Sequence, residues 1–249
     1  MITPRLNPHD HTVLPALRQC LSSTEGVQWY ALIDHLFVPK LGRKLRGKTA
    51  EWVNLYQSLS GGEEQASPLL LPLPQPSPAL ETQLALLLKT CNGMPMLSFW
   101  ASNLSAPALT EHFERYSDVR LQPDDNVMML RYADTRTLGS LLHHLDDEQR
   151  AEWLAPFSQV LYFDALSGLQ QITGESSLRI GKGKLSLTPS QWSAMLDASL
   201  PEFLFDEFAM RMPTASPASV YTAIHSKLAE AKQLGLQDED EQLCYCRDS

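Results

Sequence analysis

Three charges crowd one short stretch of this chain. In VMMLRYADTRTLGSLL, residues 127–142, an apolar run patterned as a buried strand gives way to Arg131, Asp134 and Arg136, and a helical pattern begins at once. Charge at the edge of a core is costly unless it is paired. The cluster is therefore a catalytic site, an anion site or an internal brace. Strand alternation puts Met129, Arg131 and Ala133 on one face and Met128, Leu130 and Tyr132 on the other. Asp134 falls at the strand-to-helix junction, where its carboxylate can accept from the unpaired amides of the first turn. The two arginines can hold that carboxylate or a neighbouring acid such as Asp34, at the end of YALID. Arginine suits either task because its planar fork keeps its charge and bonds carboxylates bidentately.

His112 is the other residue whose type and position invite chemistry. It precedes the core position Phe113 on the helical stretch ALTEHFERYS, and from there it can face the edge where Arg131 and Asp134 emerge. A His–Asp pair suggests acid–base work, but no Ser or Cys nucleophile stands beside it. The plainer reading is a partly buried, hydrogen-bonded histidine. No G-x-S-x-G elbow and no H-E-x-x-H motif occurs. IGKGKLS fails as a phosphate loop: the position of the leading glycine is Ser176, and Gly183 follows Lys182 where Ser or Thr is needed. HHLDDE (143–148) gathers metal-ligand types, yet Asp146 or Asp147 stands where a helix cap belongs. No cofactor and no metal is expected.

Composition narrows the classes. The chain has 249 residues, 43% hydrophobic and 20% charged, with a net charge of −9, enough sequence to bury a substantial core. An acidic chain whose only basic cluster is KLGRKLRGK offers little to a nucleic-acid backbone. No apolar run reaches the length of a membrane span, and MITPRLNPHDHTVL has no apolar core of a secretory signal. The four cysteines, Cys20, Cys91, Cys244 and Cys246, lack metal-ligand spacing. Free thiols in a cytoplasmic protein fit them best.

The elements that must position these residues follow from periodicity and punctuation. Helices are expected at 12–21, from about Leu80 to Asn92, at 106–116, and in TLGSLLHHL and DDEQRAEWLAPF. Strands are expected in VQWYALID, PLLLPLP, MPMLSFWAS and QVLYFDA. DVRLQPDDNVMMLRYA forms a hairpin about PDDN, and LQQITGESSLRIGKGKLSLT a peripheral hairpin with a long loop. After residue 187 strand signals stop. Thr188-Pro-Ser-Gln191 is a capping box, Ser199-Leu-Pro-Glu202 repeats it, and Ser216-Pro217 opens a third helix. The acidic end DEDE is expected to fray. The fold class is α+β (mixed α/β): residues 1–187 form a lobe with a mixed β-sheet flanked by helices, and 188–249 a small all-α lobe.

YALID, SPLLLPL and LSFWASNLSAPALTEHFERYSDVRLQPDDNVMMLRYADTRTLGSLLHHLDDEQRAEWLAPF together resemble the adaptor domain of type VI secretion systems. The resemblance covers about residues 27–165. Arg131, Tyr132, Asp134 and Arg136 stand at its Arg-Tyr-x-Asp-Pro-Arg strand end, and His112 at its helix position. Ala133 replaces a frequent aromatic, and Thr135 the usual proline.

The resemblance implies a non-enzymatic chaperone that holds a toxic effector in the donor cell, often by the effector's N-terminal region, and helps load it onto the VgrG spike. On this reading Arg131, Asp134, Arg136, His112 and Asp34 are a structural brace or part of a partner site. An adaptor also needs a partly apolar partner surface. Trp192, Phe203, Phe205, Phe208, Met210 and Met212 are the candidates, because apolar residues in FLFDEFAMRM occupy too many faces for a helix packed on one side. Plain core packing is the alternative for each of them. Two rival functions stay open: a hydrolase using His112 and Asp134, and an immunity protein that binds a toxin.

Overall fold

The computed structural model describes residues 3–9, 13–22, 26–38, 40–49, 51–56, 67–166, 168–176 and 184–248. In chain order the elements are α1 (Val13–Ser22), β1 (Gln28–Ile33), a 3-10 turn (His35–Phe37), α2 (Leu41–Leu45), β2 (Val53–Asn54), β3 (Leu69–Pro72), α3 (Pro78–Thr90), β4 (Leu97–Ser102) and α4 (Ala106–Arg115). There follow β5 (Asp118–Leu121), β6 (Asn126–Met129), α5 (Thr135–His144), α6 (Asp147–Leu154), β7 (Phe157–Asp164), β8 (Gly168–Thr173), β9 (Leu185–Leu187), α7 (Pro189–Arg211), α8 (Pro217–Gln233) and α9 (Glu239–Asp248). The class is α+β. The main sheet has six strands in the order β2-β3-β1-β4-β7-β8, all antiparallel. Among the described residues, mixed pairing occurs only in the small sheet β6-β5-β9, where β5 runs parallel to β9 and antiparallel to β6.

The central strands are apolar on both faces because helices cover both. Tyr30, Leu32, Trp100 and Val160 point into one core with residues of α4, α5 and α6. Trp29, Ala31, Ile33, Phe99 and Leu161 alternate with them into a second core under α1, α2 and α3. The first core is aromatic at its centre. Trp100 meets Phe113, Trp153 and Phe157 edge-on at centroid distances of 5.3, 5.4 and 4.6 Å, the geometry that ring quadrupoles favour. A third cluster, from Leu200, Leu204, Phe205 and Phe208 of α7 with α8 and Cys246 of α9, forms the C-terminal helical part. The start of α7 belongs elsewhere, since Met195 and Trp192 pack on the first core.

Several local expectations give way to tertiary structure. The run before Arg131 is not a buried strand. β6 is an edge strand exposed along its whole length, and it ends at Met129, so strand alternation does not extend through Arg131 and Ala133. Apolar type alone could not reveal that nothing among the described residues covers it. Residues 168–187 do not make one hairpin, because β8 pairs with β7 and β9 with β5. The glycine-rich 180–183 lies outside the described residues.

The second capping box does not start a helix. α7 runs unbroken through Pro201, and the Ser199 hydroxyl turns back to the Leu196 carbonyl at 2.7 Å. The acidic end is the helix α9, held by buried Gln242 and Cys246. Ser105 stands at the N-cap of α4 but makes no side-chain capping bond. The N-terminal segment is anchored, with the amides of Arg5 and Leu6 donating to the Gly93 carbonyl. Gly93 ends the α3 region at φ +74°, a left-handed value that other residues adopt at a cost.

Trp100 is fully buried at the ring cluster, and its indole N–H reaches Ser98 Oγ at 2.8 Å. Trp100→Ala is expected to lower unfolding free energy by about 3–5 kcal/mol, measured by urea denaturation. A loss under about 1 kcal/mol would mean that the sheet is not organised around this cluster.

Candidate functional site

Two aspartates, far apart in sequence, perform the same local task at one end of the sheet. Asp34 caps the 3-10 turn after β1 by accepting from the Leu36 amide at 3.0 Å. Asp134 caps α5 by accepting from the Arg136 amide at 3.1 Å. Both caps hang on one loop: the Asp34 amide donates to the Met96 carbonyl and the Thr135 amide to the Pro95 carbonyl. Thr135 Oγ1 also donates to the Phe163 carbonyl at 2.9 Å, which pins the start of α5 to β7.

Each buried carboxylate is held by one arginine. Arg131 donates to Asp34 at 2.7 Å. Arg136 grips Asp134 with Nε to Oδ1 at 3.0 Å and a terminal nitrogen to Oδ2 at 2.7 Å, the bidentate fork expected of guanidinium and carboxylate. Both guanidiniums lie over the Phe37 ring, at 5.6 and 5.5 Å from its centroid. Arg136 also donates to Glu202 of α7. Glu202 in turn accepts from the Tyr221 hydroxyl of α8 at 2.5 Å and pairs with Arg5 at 3.6 Å. One guanidinium therefore joins the cap of a sheet-packed helix to the C-terminal helices. Burial by itself lowers the Arg136 pKa, but the bond and charge of Asp134, with Glu202, outweigh this and hold it above its ordinary value. Arg136 stays charged at every pH the protein meets.

The cluster forms the floor of a groove of about 550 Å³. Met129, Leu130 and Arg131 make one wall; Trp192, Leu196 and Phe203 of α7 make the other. Met129 is 64% exposed and Phe203 65%. Of the other helical-lobe candidates, Met210 is exposed, whereas Phe205 and Phe208 are buried in the third cluster and Met212 packs against it. The groove combines apolar walls with internally matched charges: Arg131, Arg136, Asp134 and Glu202 line it, Arg136 pairs with Asp134 and Glu202, and Arg131 and Glu202 also pair with Asp34 and Arg5, which lie outside the lining.

His112 is not part of this arrangement. It is fully buried among Phe113, Tyr116 and Phe157, and its Nε2 lies 2.9 Å from the Trp153 carbonyl. A carbonyl can only accept, so Nε2 carries the proton and Nδ1 is bare and unpartnered. The His112–Asp134 pair raised by the sequence does not form, because α4 turns this face into the aromatic core while Asp134 is engaged by Arg136. Burial lowers the His112 pKa to about 4, against a smaller opposing effect of the Trp153 bond.

In HHLDDE, Asp146 is the cap of α6 in a reciprocal box with Gln149, and Asp147 pairs with Arg150 at 2.6 Å. Among the described residues no three His, Cys, Asp or Glu side chains gather as a metal set. Ser140 lines the groove, and its hydroxyl has no hydrogen-bond partner among the described residues. Glu202, Arg5, Phe37 and Tyr221 are the participants that sequence reasoning missed. Glu202 carried a competing local explanation as a capping residue, and nothing in the sequence pairs positions 136 and 202.

Residues 29–152 match the family model described as a domain of unknown function (DUF4123). That family is associated with adaptors of type VI secretion effectors. No curated protein and no solved structure matches the chain. Among the described residues no helix is long and apolar enough to cross a membrane. The matched segment contains Asp34, Arg131, Asp134 and Arg136, while Glu202 lies beyond it.

Two outcomes follow from this geometry. Arg136→Ala strands Asp134, whose side chain is 4% exposed. It should cost about 2–4 kcal/mol, toward the lower end of the penalty for a fully buried pair because the guanidinium is partly solvated. Arg131→Ala should cost less, its side chain being 41% exposed; urea denaturation of both variants checks the order.

For His112 the folded pKa lies below the unfolded value, so the unfolded chain binds the proton more readily. The associated stability is whole above pH 6.5 and is lost as pH falls through about 4. The wild type should lose roughly 3 kcal/mol from this group over that window, and His112→Gln should flatten the loss. Equal pH slopes for the two proteins would contradict the assignment.

Proposed function

We propose that this chain is a non-enzymatic adaptor that binds a type VI secretion effector in the donor-cell cytoplasm and helps load it onto the VgrG spike. The groove between β6 and α7 is its partner surface. The observation that carries this reading is the pairing of exposed apolar walls with a floor whose charges already satisfy one another. A catalytic cleft needs a group left free or poised for proton transfer. Here Asp134 is spent on Arg136 and on a helix cap, and His112 on the Trp153 carbonyl. Large exposed apolar side chains rimmed by polar ones instead suit a protein partner. The family association of residues 29–152 supports the same reading, and it is compatible with the acidic balance of the chain.

The test uses the purified chain and the secreted protein encoded beside its gene. A stable one-to-one complex should form and survive size-exclusion chromatography, and the effector's N-terminal region alone should suffice. Phe203→Ser should weaken binding about tenfold or more with the melting temperature unchanged. Binding to the toxin's active domain alone would instead support an immunity protein, and turnover of a substrate lost on substitution of Asp134 would support an enzyme.

A further inference from the structure

The small sheet ends in an edge that nothing among the described residues covers. Leu130 donates its amide to the Ser117 carbonyl. Given the antiparallel register of β5 and β6, alternation then turns the amides and carbonyls of Met128 and Asn126 toward β5, and those of Val127 and Met129 outward. Natural edge strands are normally kept short or blunted by charge, proline or a bulge. β6 is short, at four residues, but carries none of the other three. Its sequence is Asn-Val-Met-Met, with Val127 57%, Met128 42% and Met129 64% exposed.

The same edge runs into the groove, since Met129, Leu130 and Arg131 form its near wall. Among the described residues Arg131 spends one hydrogen bond, on Asp34, and its guanidinium keeps further donors. Resting on the adaptor reading above, we propose that the effector is gripped by strand addition. An extended effector segment joins β6 as a fourth strand of the small sheet, its alternate apolar side chains reach Trp192, Leu196 and Phe203, and one of its carbonyls accepts from Arg131.

Charge decides between the possible occupants. The groove floor is internally matched, so it offers no net charge to a phosphate or carboxylate ligand and favours an uncharged, apolar stretch of peptide. A second copy of this chain fits poorly. Each carries −9, so association of two copies works against their net repulsion; at the hairpin tips themselves Asp125 is matched by Arg120 at 2.7 Å, which leaves Asp124 as the acid facing a partner. Backbone pairing supplies affinity in this mode of recognition, and the pockets for alternate side chains supply selectivity.

The experiment measures binding of the N-terminal region of the neighbouring-gene effector to four proteins: wild type, Met129→Pro, Met129→Gln and Leu234→Ser. Proline at 129 removes one outward amide and leaves the β5 pairing intact. It should weaken binding at least tenfold with little change in melting temperature. Met129→Gln keeps the amide and should weaken binding less, and Leu234→Ser, an exposed apolar site away from the groove, should bind as wild type. Hydrogen exchange on the wild-type complex gives an independent reading should Met129→Pro fold poorly: the Val127 and Met129 amides should slow tenfold or more on binding. If the wild type binds but Met129→Pro binds equally and those amides stay fast, strand addition is wrong and the adaptor reading survives. If the wild type does not bind, both fall. A concentration-dependent dimer abolished by Met129→Pro would assign the edge to a second copy and overturn the proposal.

Discussion

The guanidinium of Arg136 is the hinge-pin of this molecule. It takes both oxygens of Asp134, the residue that starts α5, and it reaches across to Glu202 in the middle of α7. It acts beside the apolar contacts of Met195 and Trp192, which are non-directional and permit sliding, and beside polar ties at other points of α7, where Gln191 donates to the His144 carbonyl and to Gln149 and Arg5 pairs with Asp206. A partly buried ion pair adds little net stability, because desolvation consumes most of the attraction. Its contribution is geometric: the bidentate fork on Asp134 holds the guanidinium in one orientation, from which its remaining terminal nitrogen meets Glu202 of α7.

The groove follows from that spacing. Its floor is built from charges that cancel locally, and its walls from side chains left in water. The two features belong together. On the proposed adaptor reading, matched ion pairs hold the walls, and the apolar walls give a partner a surface to cover. Both Asp34 and Asp134 are anchored through neighbouring amides to the Pro95–Met96 loop, so the floor is continuous with the first turn of the central strand β4. Four of the brace residues lie in the segment that matches the DUF4123 model, and Glu202 lies outside it. The α7 side of the join, Glu202 together with Gln191, Trp192 and Met195, thus lies beyond the matched residues.

Local chemistry was legible in the sequence, and long-range pairing was less so. Asp134, Thr188 and Ser216 announced helix starts, and each caps in the structure. Central strands such as YALI and LSFWAS were visible as short β-branched and aromatic runs. Asp34 is legible as a partner for the arginines from its place at the end of the apolar YALI run, and Arg131 reaches it across 97 positions. Failures came where a local signal competed with a tertiary one. Ser199-Leu-Pro-Glu202 has the pattern of a capping box, yet packing carries α7 straight through it. NVMM has the composition of a buried strand, and only the fold shows it at an edge. His112 sits one residue from a core position, and helical geometry at 100° per residue leaves its side unspecified until α4 is docked. Phe205 and Phe208 differ from Phe203 and Met210 only by helical phase, which composition cannot assign.

The most direct measurement is a double-mutant cycle on Arg136→Met and Glu202→Met, read on both unfolding free energy and effector affinity. If this ion pair sets the groove, the two substitutions are non-additive, with a coupling of about 1–3 kcal/mol in stability, and effector binding falls in each single variant although neither side chain forms an apolar wall. Additive stability effects with unchanged affinity would contradict the account and leave α7 placed by its apolar contacts and by the Gln191 and Arg5 bonds.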